Sequence, residues 1–294
     1  MVHVTLQKGV GGELLDLSDV DPRTHGFVLK EAACQHWRVP PRCQSLVIGT
    51  AILDDSEDLA GHCCLDTTTL SVVMVVSLEQ VCRDLASSNT VSKEESLQVL
   101  IALNARCSDQ VVAAVSECLQ DHCRHVRQFG QIQGQLEDHA SLVRQLAVEA
   151  LSRIANSGDP RVIAAISARL EDRDYSVRKA AVQALGLITT EDREQAMTAI
   201  LPRLEHQDYS VRLAALEALS KLARKGDELA TRTLMARLKD QDAFVRQAAV
   251  EALVSIADPG SDDVLFAIRE RLHDSDRFVR QSAKDMLKTF TRDH

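Results

Sequence analysis

Aromatic residues are scarce in this chain of 294 residues, which contains six Phe, two Tyr and one Trp. Its core must therefore be built from Ala, Leu, Val and Ile, unlike a β-sandwich or a nucleic-acid reader that stacks bases on aromatic rings. The 12 glycines and six prolines are too few for a low-complexity or fibrous chain. No apolar run approaches the roughly 20 residues that span a bilayer, so we expect no membrane partner.

Basic charge is also in short supply, because 34 Lys and Arg face 43 Asp and Glu, which gives a net charge of −9. Nucleic-acid phosphates select for a basic face, so we expect no nucleic-acid partner. The first residues lack the charged and apolar regions of a signal peptide, and the eight cysteines include no CxxC pair. The composition therefore predicts reduced thiols and a cytoplasmic or nuclear protein.

Internal repetition dominates the second half of the sequence. The dipeptide Val-Arg recurs every 34 residues, at 143, 177, 211, 245 and 279, within segments such as VRKAAVQAL (177–185). The apolar residues of this copy recur at i, i+3, i+4, i+7 and i+8, which is one stripe of an α-helix. Asp174 lies where a helix N-cap belongs, and residues 160–170 predict a second helix that begins at proline. Each helix pair is too small to bury its own stripe, so the pairs must stack.

The Asp-x-x-Val-Arg-x-Ala-Ala-x-x-Ala-Leu pattern resembles HEAT-like repeats, specifically the short kind first grouped with phycobiliprotein (PBS) lyases. The resemblance covers residues 140–294 clearly and 94–125 weakly, and it implies an α-solenoid of helix pairs. In that family, phased Asp and Arg form a ladder along the inner helices. The ladder is either structural or an anion- or peptide-binding row on the concave face. Its matching residues here are Asp174, Arg178, Asp208, Arg212, Asp242, Arg246, Asp276 and Arg280.

One copy of the repeat is out of phase. The segment LQDHCRHVR (119–127) aligns with LEDHASLVR (136–144) at half of the period, so one helix is missing between them. Stacking alternates outer and inner helices, and this loss leaves a segment in the wrong phase. The sequence therefore predicts a helix or linker at 77–93, a degenerate first repeat at 94–125, and an irregular seam at 126–142. Regular repeats with a terminal single helix are expected at 143–294.

The first 76 residues lack the repeat. Residues 2–6 and 13–18 predict two strands around a glycine-rich turn, 28–37 predict a helix, and 45–50 and 70–76 predict further strands. Two strands, a helix and more strands in so short a segment indicate a small α+β domain that precedes the solenoid.

Residues 39–76 resemble ubiquitin, with Pro-Pro after the helix, a Gln-x-Leu-Val-Ile strand, and Thr-Leu-x-Val in the last strand. The resemblance implies a ubiquitin-like β-grasp domain at 1–76, in which Val47 and Val73 occupy the apolar partner-binding patch. Two valines on an open sheet face are also typical of strand propensity alone. No Gly-Gly tail follows Val76, so the resemblance implies a fused recognition module that is not conjugated.

Candidate sites for chemistry are few. The densest group of potential metal ligands is Cys118, His122, Cys123 and His125, whose spacing is not that of a structural zinc site. The vicinal pair Cys63-Cys64 has no evident neighbouring base. The sequence therefore predicts no metal site, no cofactor and no catalytic residue.

These patterns together predict a non-catalytic protein–protein interaction scaffold with a docking head and a partner-binding solenoid. A first alternative is a HEAT-like enzyme, either an oxidoreductase of the deoxyhypusine hydroxylase type or a bilin lyase subunit. The hydroxylases carry His-Glu dipeptides as iron ligands, and this chain contains no His-Glu dipeptide. A second alternative, by fold analogy, is a ubiquitin–proteasome adaptor.

Overall fold

The computed structural model describes residues 1–8, 13–63, 69–103, 107–120, 133–156, 158–187, 192–258 and 261–292, without the side chains of 133–139 and 289–292. These residues divide into two compact units, Met1–Cys118 and Leu119–His294. Within the described ranges no helix is both long and apolar enough to cross a membrane.

The N-terminal unit contains a small α+β domain, as the sequence predicts. Its strands are β1 (Val2–Lys8), β2 (Leu14–Val20), β3 (Gln44–Ile48), β4 (Ala51–Leu53) and β5 (Thr69–Val76), and its helix is α1 (Gly26–Trp37). They form one sheet in the order β2-β1-β5-β3-β4, in which only β1 and β5 run parallel among the paired strands. Alternate residues of the strands, such as Leu6, Leu46 and Met74, are fully buried, so one face of the sheet forms the core. The short strand β4 is absent from the predicted elements.

Three further helices, α2 (Leu78–Ala86), α3 (Thr90–Leu103) and α4 (Asp109–Cys118), belong to the same compact unit as the sheet. The predicted boundaries, which end the first domain at residue 76 and assign 94–125 to the repeats, stay predictions. Within this unit, a buried carboxylate on α2 bonds to groups on both sides of it along the chain.

This carboxylate belongs to Asp84. Its oxygens accept hydrogen bonds from Arg42 Nε at 2.8 Å, from Gln80 Nε2 at 2.8 Å and from Ser96 Oγ at 3.3 Å. Burial alone would raise the pKa of Asp84, but the bonds from Arg42 and Gln80 hold it below its usual value. Burial and the nearby Asp84 charge raise the pKa of the Cys43 thiol to about 11. Asp84 of α2 therefore links Arg42, in the segment that follows α1, to Ser96 of α3.

The C-terminal unit is a helical-repeat solenoid, as predicted. Helices α5, α7, α9, α11 and α13 pack in series, each on the next, and the shorter helices between them connect successive members. Each helix of the series places one fully buried alanine at the same repeat position, which permits close approach of the helices. The alanines are Ala147, Ala181, Ala215, Ala249 and Ala283. The helices are α5 (Gln133–Ile154), α6 (Pro160–Ala168), α7 (Tyr175–Gly186), α8 (Arg193–Ile200), α9 (Tyr209–Leu222), α10 (Glu228–Arg237), α11 (Ala243–Ile256), α12 (Asp262–Glu270) and α13 (Arg277–Arg292).

The predicted irregular seam at 126–142 falls partly outside the described residues, which omit 121–132. From residue 133 onward the backbone is helical, because α5 runs without interruption from Gln133 to Ile154. Arg169 Nη1 donates to the carbonyl of Leu119 at 2.7 Å, which is 50 residues earlier in the chain. In later repeats the matching arginines, Arg237 and Arg271, donate to a carbonyl 33 residues earlier. The bond of Arg169 therefore spans a longer stretch of sequence than the bonds of its later counterparts.

Candidate functional site

One row of five residues, here named the apolar row, crosses all five strands on the open face of the sheet; four of its members are apolar and one, Gln7, is polar. The strand registers align Leu14 with Gln7, Gln7 with Val73, Val73 with Val47, and Val47 with Ile52. Val47 and Val73, the two predicted patch residues, are therefore direct cross-strand neighbours, and both are half-buried. At the two ends of the row, Ile52 is 70% exposed and Leu14 is 59% exposed. The structure brings the predicted pair together and extends it over a wider surface.

The remainder of this face is polar on the side of β1 and β2. The Thr5 hydroxyl donates to the Asp16 carboxylate at 2.8 Å, and the exposed Ser71 is paired with Thr5 in the sheet. Val75, exposed on β5, enlarges the apolar side. An apolar area with a polar border is typical of a surface that a protein partner covers.

Arginines of the packed helix series form the ladder in the solenoid. Arg212 donates from Nε and Nη2 to the two oxygens of Asp240 at 2.9 and 2.7 Å, and each side chain is only 4% exposed. Arg144 makes the same pair of bonds to Asp172 at 2.8 and 2.9 Å. Arg246 makes them to Asp274 at 3.0 and 2.8 Å. Each rung therefore joins one repeat to the next through a buried bidentate ion pair.

The predicted acids cap helices, which is the role that the position of Asp174 predicts, and the rung bonds described above are made by other aspartates. Their carboxylates accept the backbone N–H two residues ahead at 2.7 to 2.8 Å, so they cap the helices α7, α9, α11 and α13. The ladder acids stand two residues earlier and 28 residues after their arginine. The capping acids are Asp174, Asp208, Asp242 and Asp276.

The four predicted arginines share one contact, which is a pair of hydrogen bonds from Nη1 to carbonyls of the turn before their own helix. In Arg212, Nη1 donates to the carbonyls of His206 and Gln207, both at 2.8 Å, and so holds the turn before its own helix. Arg178, Arg246 and Arg280 bond to the equivalent pair of carbonyls. Arg212 and Arg246 therefore use one edge of the guanidinium for the aspartate of the next repeat and Nη1 for carbonyls of their own repeat.

A second arginine series, which the sequence reading missed, ends the outer helices. Arg169, Arg237 and Arg271 lie 3.8, 3.9 and 3.5 Å from the ladder acids of their own repeats. Each ladder carboxylate thus lies between two guanidinium groups. Burial alone would raise the pKa of Asp240, but hydrogen bonds from Arg212 and the Asp242 amide, with the charges of both arginines, hold it below its usual value.

Exposed aromatic rings lie at the first turns of α7, α9, α11 and α13. They are between 45% and 67% exposed, although aromatic residues make up only 3% of the chain. The ring centroids of Tyr209 and Phe244 lie 6.3 Å apart in a stacked arrangement. The rings are those of Tyr175, Tyr209, Phe244 and Phe278. Sequence reasoning missed them, although they occupy the first or second position after each capping aspartate.

Of the predicted cysteine and histidine group, only Cys118 lies within the described residues. It is buried, and its Sγ contacts the Leu85 carbonyl at 3.8 Å. His122, Cys123 and His125 lie outside the described residues, as does Cys64. Over the part of the chain that is described, no group of three or more His, Cys, Asp or Glu side chains could hold a metal ion.

Solved structures with similar helical arrays include natural and engineered proteins. An engineered protein is 21% identical over 73% of this chain and 98% of its own, with a TM-score of 0.42. The complex of CpcE and CpcF of phycocyanin lyase from a Nostoc species is 20% identical over 72% of this chain and 76% of its own, with a TM-score of 0.41. Human deoxyhypusine hydroxylase in complex with glycerol is 17% identical over 74% and 85%, with a TM-score of 0.36.

No curated protein sequence matches this chain. The family model of HEAT repeats matches it twice, over residues 132–220 and 197–288. These two segments overlap and together cover more than half of the 294 residues. The chain therefore belongs to the HEAT repeat family.

Proposed function

We propose that this protein is a non-catalytic interaction scaffold that binds one protein through the sheet and another through the solenoid. The observation that carries the proposal is the apolar row on the sheet, in which Val47 pairs directly with Val73 and the exposed Ile52 continues the row. Repeat solenoids supply extended surfaces for a second partner, because each repeat adds a similar surface beside the last.

The energetics favour the row as the docking surface. Complete burial of one exposed aliphatic side chain is worth about 1.5–3 kcal/mol, and Ile52 retains 70% of its surface for a partner to cover. Half-buried Val47 and Val73 contribute less area, but they fix the centre of the contact because both lie on paired interior strands, β3 and β5. A partner that covers Val47, Val73 and Ile52 together gains a desolvated apolar centre with a polar rim.

The ladder is proposed as the internal support of this scaffold. Arg212 and Arg246 bond both to the next repeat and to the turn before their own helix, so they stabilise the stack and their donors are already used within the protein. The exposed aromatic rings at the first turns are solenoid groups that a partner could cover.

The test introduces a charge into the row by Val47→Asp, with Ser71→Asp as the matched control. Ser71 is exposed on the same face, two residues from Val73 on the same strand, and lies outside the apolar row. Proteins captured by the immobilised full chain are quantified for the wild type and both variants. We expect Val47→Asp to lose a subset of them and Ser71→Asp to retain it.

Folding must be checked separately, because Val47 is half-buried and its replacement weakens strand pairing. The single Trp of the chain, Trp37, is buried in the N-terminal unit, so its fluorescence reports whether that unit remains folded. The second variant, Ile52→Asp, changes a side chain that is already mostly exposed and should give the same loss. An unchanged set of captured proteins for both variants contradicts the proposal.

A further inference from the structure

We propose that the HEAT array contains a carboxylate-binding site at Arg178, where one rung of the ladder lacks its aspartate. The occupant would be an Asp or Glu side chain of a bound protein segment. This inference rests on the proposed scaffold function and names the chemistry of the solenoid's partner.

The chain itself demonstrates what such a site binds. Arg144, Arg212 and Arg246 each present the Nε–Nη2 edge to a carboxylate 28 residues ahead, with all six bonds between 2.7 and 3.0 Å. Arg178 occupies the equivalent position of its repeat and has the same Nε–Nη2 edge. Its Nη1 donates to the carbonyls of Asp172 and Arg173, both at 2.8 Å, as the equivalent atoms of Arg212 and Arg246 do in their repeats. The guanidinium of Arg178 is therefore fastened at one edge by the same pair of bonds as in the complete rungs.

The residue 28 positions after Arg178 is His206. Its Nδ1 accepts the backbone N–H of Asp208 at 3.0 Å, which replaces the bond that Asp240 Oδ1 accepts from the Asp242 amide at 2.9 Å. Because Nδ1 is the acceptor, the proton of the neutral ring lies on Nε2, so the imidazole offers a donor where the other repeats offer a carboxylate. Among the residues that the structure describes, no carboxylate is bonded to the Nε–Nη2 edge of Arg178.

A second guanidinium at this rung, that of Arg203, also lacks the aspartate neighbour of its counterpart in a complete rung. Arg203 is the counterpart of Arg237, which lies 3.9 Å from Asp240 and donates to the carbonyl of Leu204. Arg203 Nη1 donates to the carbonyl of Ala199 in the preceding helix α8, and its Nε is paired with Glu171. The rung at 206 thus holds the two arginines of a complete rung and one carboxylate fewer. Bidentate binding to an added carboxylate would restore the charge balance of the other rungs.

The nearest acids do not fill this position. Asp208 caps α9, and its Oδ1 accepts the Ser210 amide at 2.8 Å. Glu171 lies 2.9 Å from Arg203 Nε, on the side of the preceding repeat. Their charges reduce the positive potential of the site, but neither carboxylate is bonded to the open edge of Arg178.

The surroundings of Arg178 suit a peptide segment better than a free anion. The Tyr175 ring, 67% exposed, has its centroid 5.9 Å from the guanidinium carbon of Arg178. Tyr209, three residues after His206, is exposed and stacks with Phe244 of the next repeat. An acidic side chain at Arg178 would therefore place its flanking residues against exposed rings, which add apolar contact.

The experiment titrates the full chain with the amide of N-acetylaspartate and follows the arginine Nε–Hε resonances by NMR. We expect a saturable shift of the Arg178 resonance, while those of Arg212 and Arg246 stay unchanged because their edges are occupied. His206→Asp would supply the missing carboxylate internally and weaken binding by at least about tenfold, which corresponds to about 1.4 kcal/mol. In the Arg178→Gln variant, the aspartate amide should cause no saturable shift of the resonances of residues next to position 178.

The matched control is Gln207→Asp, which adds the same charge at the exposed neighbouring position and should keep the affinity within about twofold of the wild type. Equal losses in both aspartate variants would reduce the effect to general charge and overturn the site. Absence of a saturable Arg178 shift, or a site that takes inorganic phosphate but not the aspartate amide, would also overturn it. Because Val47 lies in the other compact unit, Val47→Asp should leave this titration unchanged, so failure here is distinguishable from failure of the sheet to dock a partner.

Discussion

Replacement of Asp240 by Asn removes the charge from a buried rung of the ladder while it keeps the shape of the side chain. Asp240 accepts two bonds from Arg212 and one from the Asp242 amide, and the side chains of the rung are 4% exposed. In the variant, the Arg212 guanidinium would remain buried opposite an amide, whose NH2 group cannot accept one of its two hydrogen bonds.

The magnitude follows from the burial. Loss of one partner of a buried ion pair costs about 3–5 kcal/mol, because the remaining charge stays desolvated. Asn retains one oxygen acceptor, so we expect the lower end, about 3 kcal/mol. For a folded unit of the size of Leu119–His294, this corresponds to a decrease in Tm of roughly 6–12 °C.

The assay is urea unfolding followed by far-UV circular dichroism, with Glu228→Gln as the matched control. Glu228 forms an i,i+4 pair with Arg232 in which the side chains are 85% and 75% exposed. Such a pair contributes at most about 0.5 kcal/mol, so its loss should be barely measurable. If Asp240→Asn were as stable as Glu228→Gln, the ladder would not hold the repeats together and the reasoning would be refuted.

Two further predictions concern acid and the N-terminal unit. Because the fold lowers the pKa of Asp172, Asp240 and Asp274, their stabilisation is complete well above the unfolded value of about 3.9 and is lost as the pH falls through their lower folded values. Urea unfolding between about pH 6 and pH 2.5 should therefore show a falling free energy of unfolding, and a flat profile would contradict it. Asp84→Asn should destabilise the N-terminal unit by about 1–3 kcal/mol, since it weakens the bond from Arg42. Trp37 fluorescence measures this loss, and an unchanged midpoint would show that the charge of Asp84 does not hold α2 to the segment that follows α1.

The repeat helices and their caps could be predicted because their causes are local. The 34-residue recurrence fixes which residues share a helix face, and an aspartate before each Val-Arg helix satisfies the first free amides wherever the helix packs. The strands before residue 76 followed from alternation in the same way. The short strand β4 did not, because three residues carry too little periodicity.

Which aspartate pairs with which arginine could not be deduced from one repeat. The pairing depends on the distance between neighbouring helices in the stack. A signal was nonetheless present in the paired acids of LEDRD, LKDQD and LHDSD, whose first member is as regularly phased as the cap. The same comparison marks LEHQD as the exception, with His206 in place of the first acid. The contacts of Asp84 had no such signal, since its partners Arg42 and Ser96 come from segments outside the regular repeats at 143–294.

The account as a whole depends on whether the apolar row of the sheet binds a protein. The most direct measurement is quantitative capture of partners by the full chain, compared among the wild type, Val47→Asp and Ser71→Asp. The account predicts that a defined subset of captured proteins falls by at least about tenfold with Val47→Asp and is retained by Ser71→Asp, while Trp37 fluorescence reports a folded N-terminal unit. Equal capture by all three proteins, with the unit folded in each, would contradict it.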